Sequence, residues 1–218
     1  WYYYTQDFGA DILQRKKKDI DDSMDIVRTP QGLYKTNCYI LKENEYALII
    51  DPGFHGHRIM KEIGEAKPVG IILTHGHADH ICAVDALVAH YHIPVYMHPM
   101  DDELLRVKRR MPSGYKERFT SPYIALEEGP LQIGPFSLNV WEVPGHSAGS
   151  VFVGYQHILF TGDTLFKGTI GKVNTYNGNP VAMKATLEKI KTFNPAYVVY
   201  PGHGTSTTLS HELVTNPY

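Results

Sequence analysis

Four apolar runs in this chain end in a residue that can bind a metal, each beside glycine or a turn residue. Gly70-Ile71-Ile72-Leu73-Thr74 runs into His75-Gly76-His77-Ala78-Asp79-His80, and Leu138 to Val143 runs into Pro144-Gly145-His146. Ile158 to Thr161 leads to Gly162-Asp163, and Tyr197 to Tyr200 leads to Pro201-Gly202-His203-Gly204. Residues just past strand ends sit at the rim of a sheet, where side chains from several strands converge. Glycine lets the backbone turn sharply and removes side chains that crowd a bound group. The pattern therefore asks for a fold in which four strand ends share one rim.

The first motif is the most specific. It places three imidazoles and a carboxylate within six residues, and these are the ligands that borderline divalent metals such as zinc prefer. In an extended turn His75 and His77 point the same way and can share one metal, while Asp79 and His80 project to the other side and can serve a second. With the three later strand ends the candidate ligands are seven: His75, His77, Asp79, His80, His146, Asp163 and His203. Two four- or five-coordinate ions need about this many when one carboxylate and one water bridge them. The other histidines, His55, His57, His90, His92, His98, His157 and His211, lack the strand-end placement. His90 and His92 flank a helix end, where a charge–dipole contact suffices. His55 and His57 follow Asp51-Pro52-Gly53 and are candidates for the site rim only.

Between these points strands alternate with helices. Asn37–Leu41 and Tyr46–Ile50 read as strands joined by a polar turn at Glu43–Glu45. Arg58–Ala66 has helical spacing, Val69–Leu73 is a strand, and Asp79–Tyr91 reads as one helix with Ile81, Val84, Leu87, Val88 and Tyr91 on one face. Val95–Met97 is a short strand and Asp101–Arg109 looks helical. Met111–Tyr123, with Pro112, Gly114 and Pro122, has no clear period and reads as a surface loop of the kind that forms lids or substrate walls. Strands follow at Leu131–Ile133, Phe136–Val143, Val151–Tyr155 and Ile158–Thr161, then a helix at Pro180–Phe193 and a last strand at Tyr197–Tyr200.

Length and composition bound the rest. The 218 residues suffice for one domain with a sizeable core, and 43% hydrophobic with 20% charged residues is ordinary for a globular protein. The first 23 residues differ: Trp1-Tyr2-Tyr3-Tyr4 is aromatic and Arg15–Asp22 is a charge run. Residues 1–23 are expected to be a tag or accessory extension and 24–218 a single domain. A formal net charge of -2 gives no reason to expect nucleic acid or an anionic membrane as partner, and the basic cluster Arg106–Arg110 reads as a solvated helix face. Cys38 and Cys82 form no motif; Cys82 is expected to be a small buried residue on the helix after the His motif. No apolar window is long enough to span a membrane and no secretory start is visible, so a reducing cytoplasm is the expected setting.

These residues resemble the metallo-β-lactamase superfamily, from about Met24 to His211. Thr74-His75-Gly76-His77-Ala78-Asp79-His80, Gly145-His146-Ser147, Thr161-Gly162-Asp163-Thr164 and Pro201-Gly202-His203-Gly204 match its pattern in order. The resemblance implies an α/β fold, an αββα sandwich of two mixed β-sheets flanked by helices, with metals at one edge. It implies that His75, His77 and His146 hold one metal, that Asp79, His80 and His203 hold the other, and that Asp163 bridges. Asp51 looks like the family's outer carboxylate, which orients ligand imidazoles. Within the superfamily the chain is most similar to the glyoxalase-II-like group, through Thr36-Asn37-Cys38-Tyr39-Ile40-Leu41, Gly162-Asp163-Thr164-Leu165-Phe166 and Tyr200-Pro201-Gly202-His203-Gly204. That group's C-terminal helical domain is missing from these residues, and Gly171-Lys172-Val173-Asn174 stands where the group commonly has Gly-Arg-Thr-Asp. Asp163 stands where the best-known zinc β-lactamases have cysteine, which argues against β-lactam hydrolysis.

The resemblance thus implies a hydrolase with two divalent ions, zinc first and iron or manganese as alternatives. It would cleave a small thioester or ester through a metal-bridging hydroxide, with Asp79 and Asp163 as catalytic carboxylates. The alternatives are a mononuclear iron sulfur dioxygenase acting on persulfides, a lactone hydrolase, and a non-catalytic metal-binding protein of the same fold.

Overall fold

The strand runs of this sequence are apolar at nearly every position because both faces of the strands are covered. In β3 (Thr36–Glu43) Tyr39 and Leu41 face inward while Cys38 and Ile40 face outward, and in β4 (Tyr46–Ile50) Leu48 and Ile50 alternate with Ala47 and Ile49 in the same way. Strands buried on both faces read as continuous hydrophobic runs. The computed structural model describes residues 11–12, 24–108 and 111–218.

Two mixed sheets result. The first runs in chain order: β1 (Asp11–Ile12), β2 (Met24–Gln31), β3, β4, β5 (Lys67–Ile72), β6 (Val95–Met97) and β7 (Ile124–Ala125). Its pairings are antiparallel from β1 to β4 and parallel from β4 to β7. The second contains β8 (Gly129–Ile133), β9 (Phe136–Glu142), β10 (Val151–Tyr155), β11 (Ile158–Gly162), β14 (Val198–Pro201) and β15 (Thr207–Thr208), with β11 and β14 parallel and the other pairs antiparallel. A small hairpin, β12 (Leu165–Phe166) with β13 (Thr169–Ile170), stands apart. The sheets pack over one apolar layer that includes Tyr39, Leu48, Ile50, Ile72, Phe136, Val140, Val153 and Phe160. Helices α1 (Gly56–Ile63) and α3 (Val84–Tyr91) cover the outer face of the first sheet, and α4 (Pro180–Ile190) and α5 (Leu209–Thr215) cover that of the second. This is the expected αββα sandwich.

Several elements depart from the sequence reading. The single helix expected over Asp79–Tyr91 is two, a short α2 (Ala78–Ile81) and then α3. The break falls at Cys82-Ala83, where the Ala83 N–H donates to Pro52 O at 2.9 Å and leaves the helical ladder. Cys82 is consequently half-buried in the joint, its Sγ accepting from the Lys116 N–H at 3.2 Å, and not buried within a helix. Helix α1 starts two residues before the expected Arg58 and stops at Gly64, whose positive φ of 62° glycine adopts without a Cβ penalty. The element expected at Asp101–Arg109 is a 3-10 helix over Pro99–Leu105, started by His98, whose Nδ1 accepts from the Met100 N–H. The Arg106–Arg110 cluster therefore begins where that helix ends; Arg109 and Arg110 lie outside the described residues. Helix α4 ends at Ile190 and not at Phe193. The division at residue 23 also falls on residues outside those described, except that Asp11–Ile12 pairs with β2. Among the described residues no helix is long and apolar enough to cross a membrane.

Phe160 is fully buried between Tyr39 and Tyr200, with ring centroids 5.2 and 5.8 Å away. Phe160→Ala should cost about 3–5 kcal/mol by lost transfer energy plus an unfilled cavity, read as a lower urea midpoint at fixed metal content.

Candidate metal centre

Strand direction brings the site together. β4, β5, β9, β11 and β14 all run toward the same rim, and their C-terminal ends deliver Asp51, the His75–His80 turn, His146, Asp163 and His203. The two sheets are tied at this rim by main-chain bonds: Val151 N–H donates to Thr74 O at 2.9 Å and Asn37 N–H to Gly202 O at 2.7 Å. Asn37 Nδ2 adds bonds to Pro201 O and Gly204 O, and the Tyr39 hydroxyl donates to Pro201 O at 2.6 Å. Close approach at the floor requires glycine. A Cβ on Gly202 would lie 2.2 Å from Asp163 Oδ1, and one on Gly171 would lie 1.6 Å from Asp163 O.

All seven sequence-predicted ligands meet here. His75, His77 and His146 present ring nitrogens within 4.8 Å of one another, and so do the ligand atoms of Asp79, His80 and His203. Asp163 lies between the two groups. Its Oδ2 is 3.2 Å from His203 Nε2, 3.6 Å from His146 Nε2 and 4.0 Å from His75 Nε2, and its Oδ1 is 3.3 Å from His80 Nε2. Asp79 Oδ2 is 3.2 Å from His203 Nε2 and 3.5 Å from His80 Nε2. His55 instead packs against Phe54 and His57. His98 does stand at a strand end, directly after β6, contrary to the sequence reading; its Nε2 pairs with Glu142 at 3.0 Å.

The outer ring nitrogens determine which nitrogen faces the site. His146 Nδ1 donates to Lys172 O at 2.8 Å and His203 Nδ1 to Tyr34 O at 3.0 Å, since a carbonyl can only accept. His80 Nδ1 donates to Asp51 Oδ2 at 2.8 Å. Thr74 Oγ1 gives its proton to Asp51 Oδ2 at 2.6 Å and so accepts from His75 Nδ1 at 3.1 Å. Four imidazoles thus turn Nε2 inward. Asp51, 1% exposed, also accepts the Thr74 N–H and holds a left-handed φ of 51° to do so, a strained conformation of the kind found at functional sites. Thr36 Oγ1 donates to Asp79 Oδ2 at 2.8 Å. Sequence reasoning found Asp51 through the resemblance but missed Thr36, Thr74 and the carbonyls of Tyr34 and Lys172. Carbonyl acceptors leave no trace in side-chain identity.

The donor set fits divalent cations. His75 Nε2, His80 Nε2 and Asp163 Oδ1 are buried without hydrogen-bond partners, and each such orphan costs roughly 1–3 kcal/mol unless something else satisfies it. His77 Nδ1 lies 2.8 Å from His146 Nε2, too close for two bare lone pairs, so a proton or a cation must engage them. Imidazole nitrogen and carboxylate oxygen accept zinc, iron and manganese.

Burial sets the protonation of the first group. It pushes His75 well down, with the neighbouring His80 adding to the effect, and takes His77 to about 3, with His146 and His80 contributing next. His146 is also lowered by burial, against the pull of Asp163. In the second group burial again opposes charge but is outweighed. Asp163, Asp79 and Asp51 raise His80, and hydrogen bonds to Asp163 and Asp79 take His203 up to about 9. Asp79 and Asp163 are held low by His80 first and by His203 next.

The family model described as the metallo-beta-lactamase superfamily matches residues 32–203. The chain belongs to this superfamily. Among its relatives in the superfamily, the probable metallo-hydrolase YqgX of Bacillus subtilis (strain 168) is 35% identical over 201 residues, covering 88% of this chain and 95% of that protein. The hydroxyacylglutathione hydrolase GloC of Haemophilus influenzae is 29% identical over 210 residues, covering 89% and 98%. Two solved structures are similar throughout. That of the B3 metallo-beta-lactamase BLEG-1 has a TM-score of 0.80 at 32% identity, covering 88% of this chain and 98% of its own. That of TTHA1623 in a di-iron-bound form has a TM-score of 0.77 at 32% identity, covering 87% and 98%.

For this superfamily member a pH dependence follows. In metal-stripped protein the His203 imidazole keeps its proton up to about pH 9, and a cation must displace it. Metal affinity should therefore rise with pH through about 9, by about tenfold per unit for each displaced proton, with His80, also raised by its carboxylate neighbours, adding to the slope. His77, neutral above about pH 3, contributes nothing to this slope near neutrality. Zinc titrations between pH 6 and 10 measure it, and a flat profile contradicts the assignment of His203.

Proposed function

We propose that this protein is a dinuclear metal-dependent hydrolase that cleaves a small thioester or ester. The observation that carries the reading is the position of Asp163, whose carboxylate approaches His75 and His146 of one group and His80 and His203 of the other within 4.0 Å. In this reading His75, His77 and His146 would hold one ion, Asp79, His80 and His203 would hold the second, and Asp163 would serve both. Divalent cations bound there would supply a Lewis acid for a carbonyl oxygen and would bring the pKa of a bound water near neutrality.

The chain's own residues do the rest. The outer hydrogen bonds of His75, His80, His146 and His203 fix their rings, so little reorganisation accompanies the reaction. Asp79 is the more exposed of the two inner carboxylates, at 19% against 10% for Asp163. In this reading Asp79 takes part in proton transfer to the departing thiol or alcohol after attack. Water adds to the carbonyl carbon, the C–S or C–O bond is lost, and a carboxylic acid and a thiol or alcohol leave.

The printed name of GloC, a hydroxyacylglutathione hydrolase, supports a thioester substrate, and that of YqgX supports metal-dependent hydrolysis. Zinc is the first choice of ion, and the di-iron form of TTHA1623 keeps iron beside it. Two free cysteines accord with a cytoplasmic setting. BLEG-1 supplies the competing substrate, a β-lactam amide.

The test is a panel of thioesters, esters, lactones and β-lactams offered to zinc-, iron- and manganese-loaded protein. His77→Ala and Asp163→Ala should lose more than about 100-fold in turnover, beyond the loss typical for outer hydrogen-bond partners of a metal site, while far-UV circular dichroism stays like wild type. Turnover of a β-lactam but of no thioester reverses the substrate assignment. Wild-type rates from either variant overturn the mechanism.

A further inference from the structure

Asp101 lies outside the ligand set and carries none of its loops, yet its carboxylate is fully buried beside them. It sits in the first turn of the 3-10 helix Pro99–Leu105. Its Oδ2 accepts the Gly76 N–H at 2.8 Å and the Ser147 hydroxyl at 2.7 Å. Its Oδ1 accepts the Gly149 N–H at 2.7 Å and Asn177 Nδ2 at 3.0 Å. Gly76 stands between His75 and His77, and Ser147 follows His146. One carboxylate therefore grips both loops that carry the His75, His77 and His146 group.

The loops are shaped around it. A Cβ on Gly149 would lie 2.8 Å from Asp101 Cγ, and one on Gly76 would lie 3.1 Å from Asp101 Cβ. These four donors are neutral, two of them main-chain N–H groups that cannot turn away. Only an acceptor-only side chain satisfies four donors at once, and among short side chains that is an ionised aspartate. Burying a charge is costly unless it is hydrogen-bonded, so four neutral donors mark a site built for a carboxylate. The second group is held by other means: Thr36 on Asp79, Asp51 on His80 and Tyr34 O on His203.

We propose that Asp101 is a positioning residue that sets the spacing of His75, His77 and His146, and through it the affinity of one of the two metal positions. This rests on the metal-centre reading above. In Asp101→Asn the amide can accept through its single oxygen, and its NH2 then faces a pair that includes a main-chain N–H. One loop is released while the Asp79, His80 and His203 group keeps its anchors.

The experiment titrates metal-stripped full-length protein with Zn2+ by calorimetry and with Co2+ by visible absorption. D101N should weaken one of two equivalents by about 10–100-fold and leave the other within about twofold. Ser147→Ala, which removes one donor and leaves the carboxylate in place, should weaken the same equivalent less. Two backgrounds identify that equivalent. Added to Asp79→Ala, D101N should still weaken the remaining ion; added to His77→Ala, it should change affinity by less than about twofold. Equal weakening of both equivalents, equal effects in both backgrounds, or no effect overturns the proposal. If D101N does not fold, Ser147→Ala decides, and an unchanged titration overturns it. Wild-type protein that binds neither Zn2+ nor Co2+ fails earlier, and removes the metal-centre reading together with this one.

Discussion

The bonds from four imidazoles of the cluster to acceptors behind them govern this molecule. Lys172 O, Tyr34 O, Thr74 Oγ1 and Asp51 Oδ2 each take an Nδ1 proton, so four rings are locked with Nε2 inward. An imidazole free to rotate or change tautomer would present a proton as often as a lone pair. All four acceptors lie in the segments that directly follow strands, Tyr34 after β2, Asp51 after β4, Thr74 after β5 and Lys172 after β13. The fold acts on the chemistry through these bonds, and the apolar layer between the sheets matters to the site because it holds the acceptors still.

The cluster also explains its own electrostatics. Gathering like-charged carboxylates in a buried space is unfavourable, and so is leaving imidazole lone pairs without partners. The two halves solve this differently. The first group is almost purely imidazole and stays neutral because burial excludes the charged form. The second mixes carboxylates with imidazoles, which hold one another in their ionised forms. The two ligand groups, joined through Asp163, thus differ in charge.

Much of this was legible in the sequence, for identifiable reasons. The strand ends were clear because both faces of β3, β4, β10 and β11 are covered and their runs are continuously apolar. The seven side chains at the rim were visible because each follows such a run. Tertiary bonds hid the rest. The break between α2 and α3 depends on the carbonyl of Pro52, and the 3-10 helix depends on the ring of His98; neither is a local propensity. Two-residue strands such as β7, β12, β13 and β15 are too short to show a period of two. Asp101 read as an ordinary residue in a helical stretch, because its four partners lie at positions 76, 147, 149 and 177 and no local pattern links them.

The turn between β2 and β3 couples the solvent face to the interior. Its Leu33 and Tyr34 side chains are 72% and 46% exposed, Tyr34 and Phe54 both pack against Tyr115, and the Tyr34 carbonyl holds His203 from behind. Side-chain identity and main-chain position are therefore separate variables in this segment. Replacing either outward-facing group alters what the surface presents to an arriving molecule and leaves the carbonyl in place. An insertion or deletion shifts the carbonyl itself. Recognition here can diversify by point substitution, whereas the length of the turn is constrained by the chemistry beneath it.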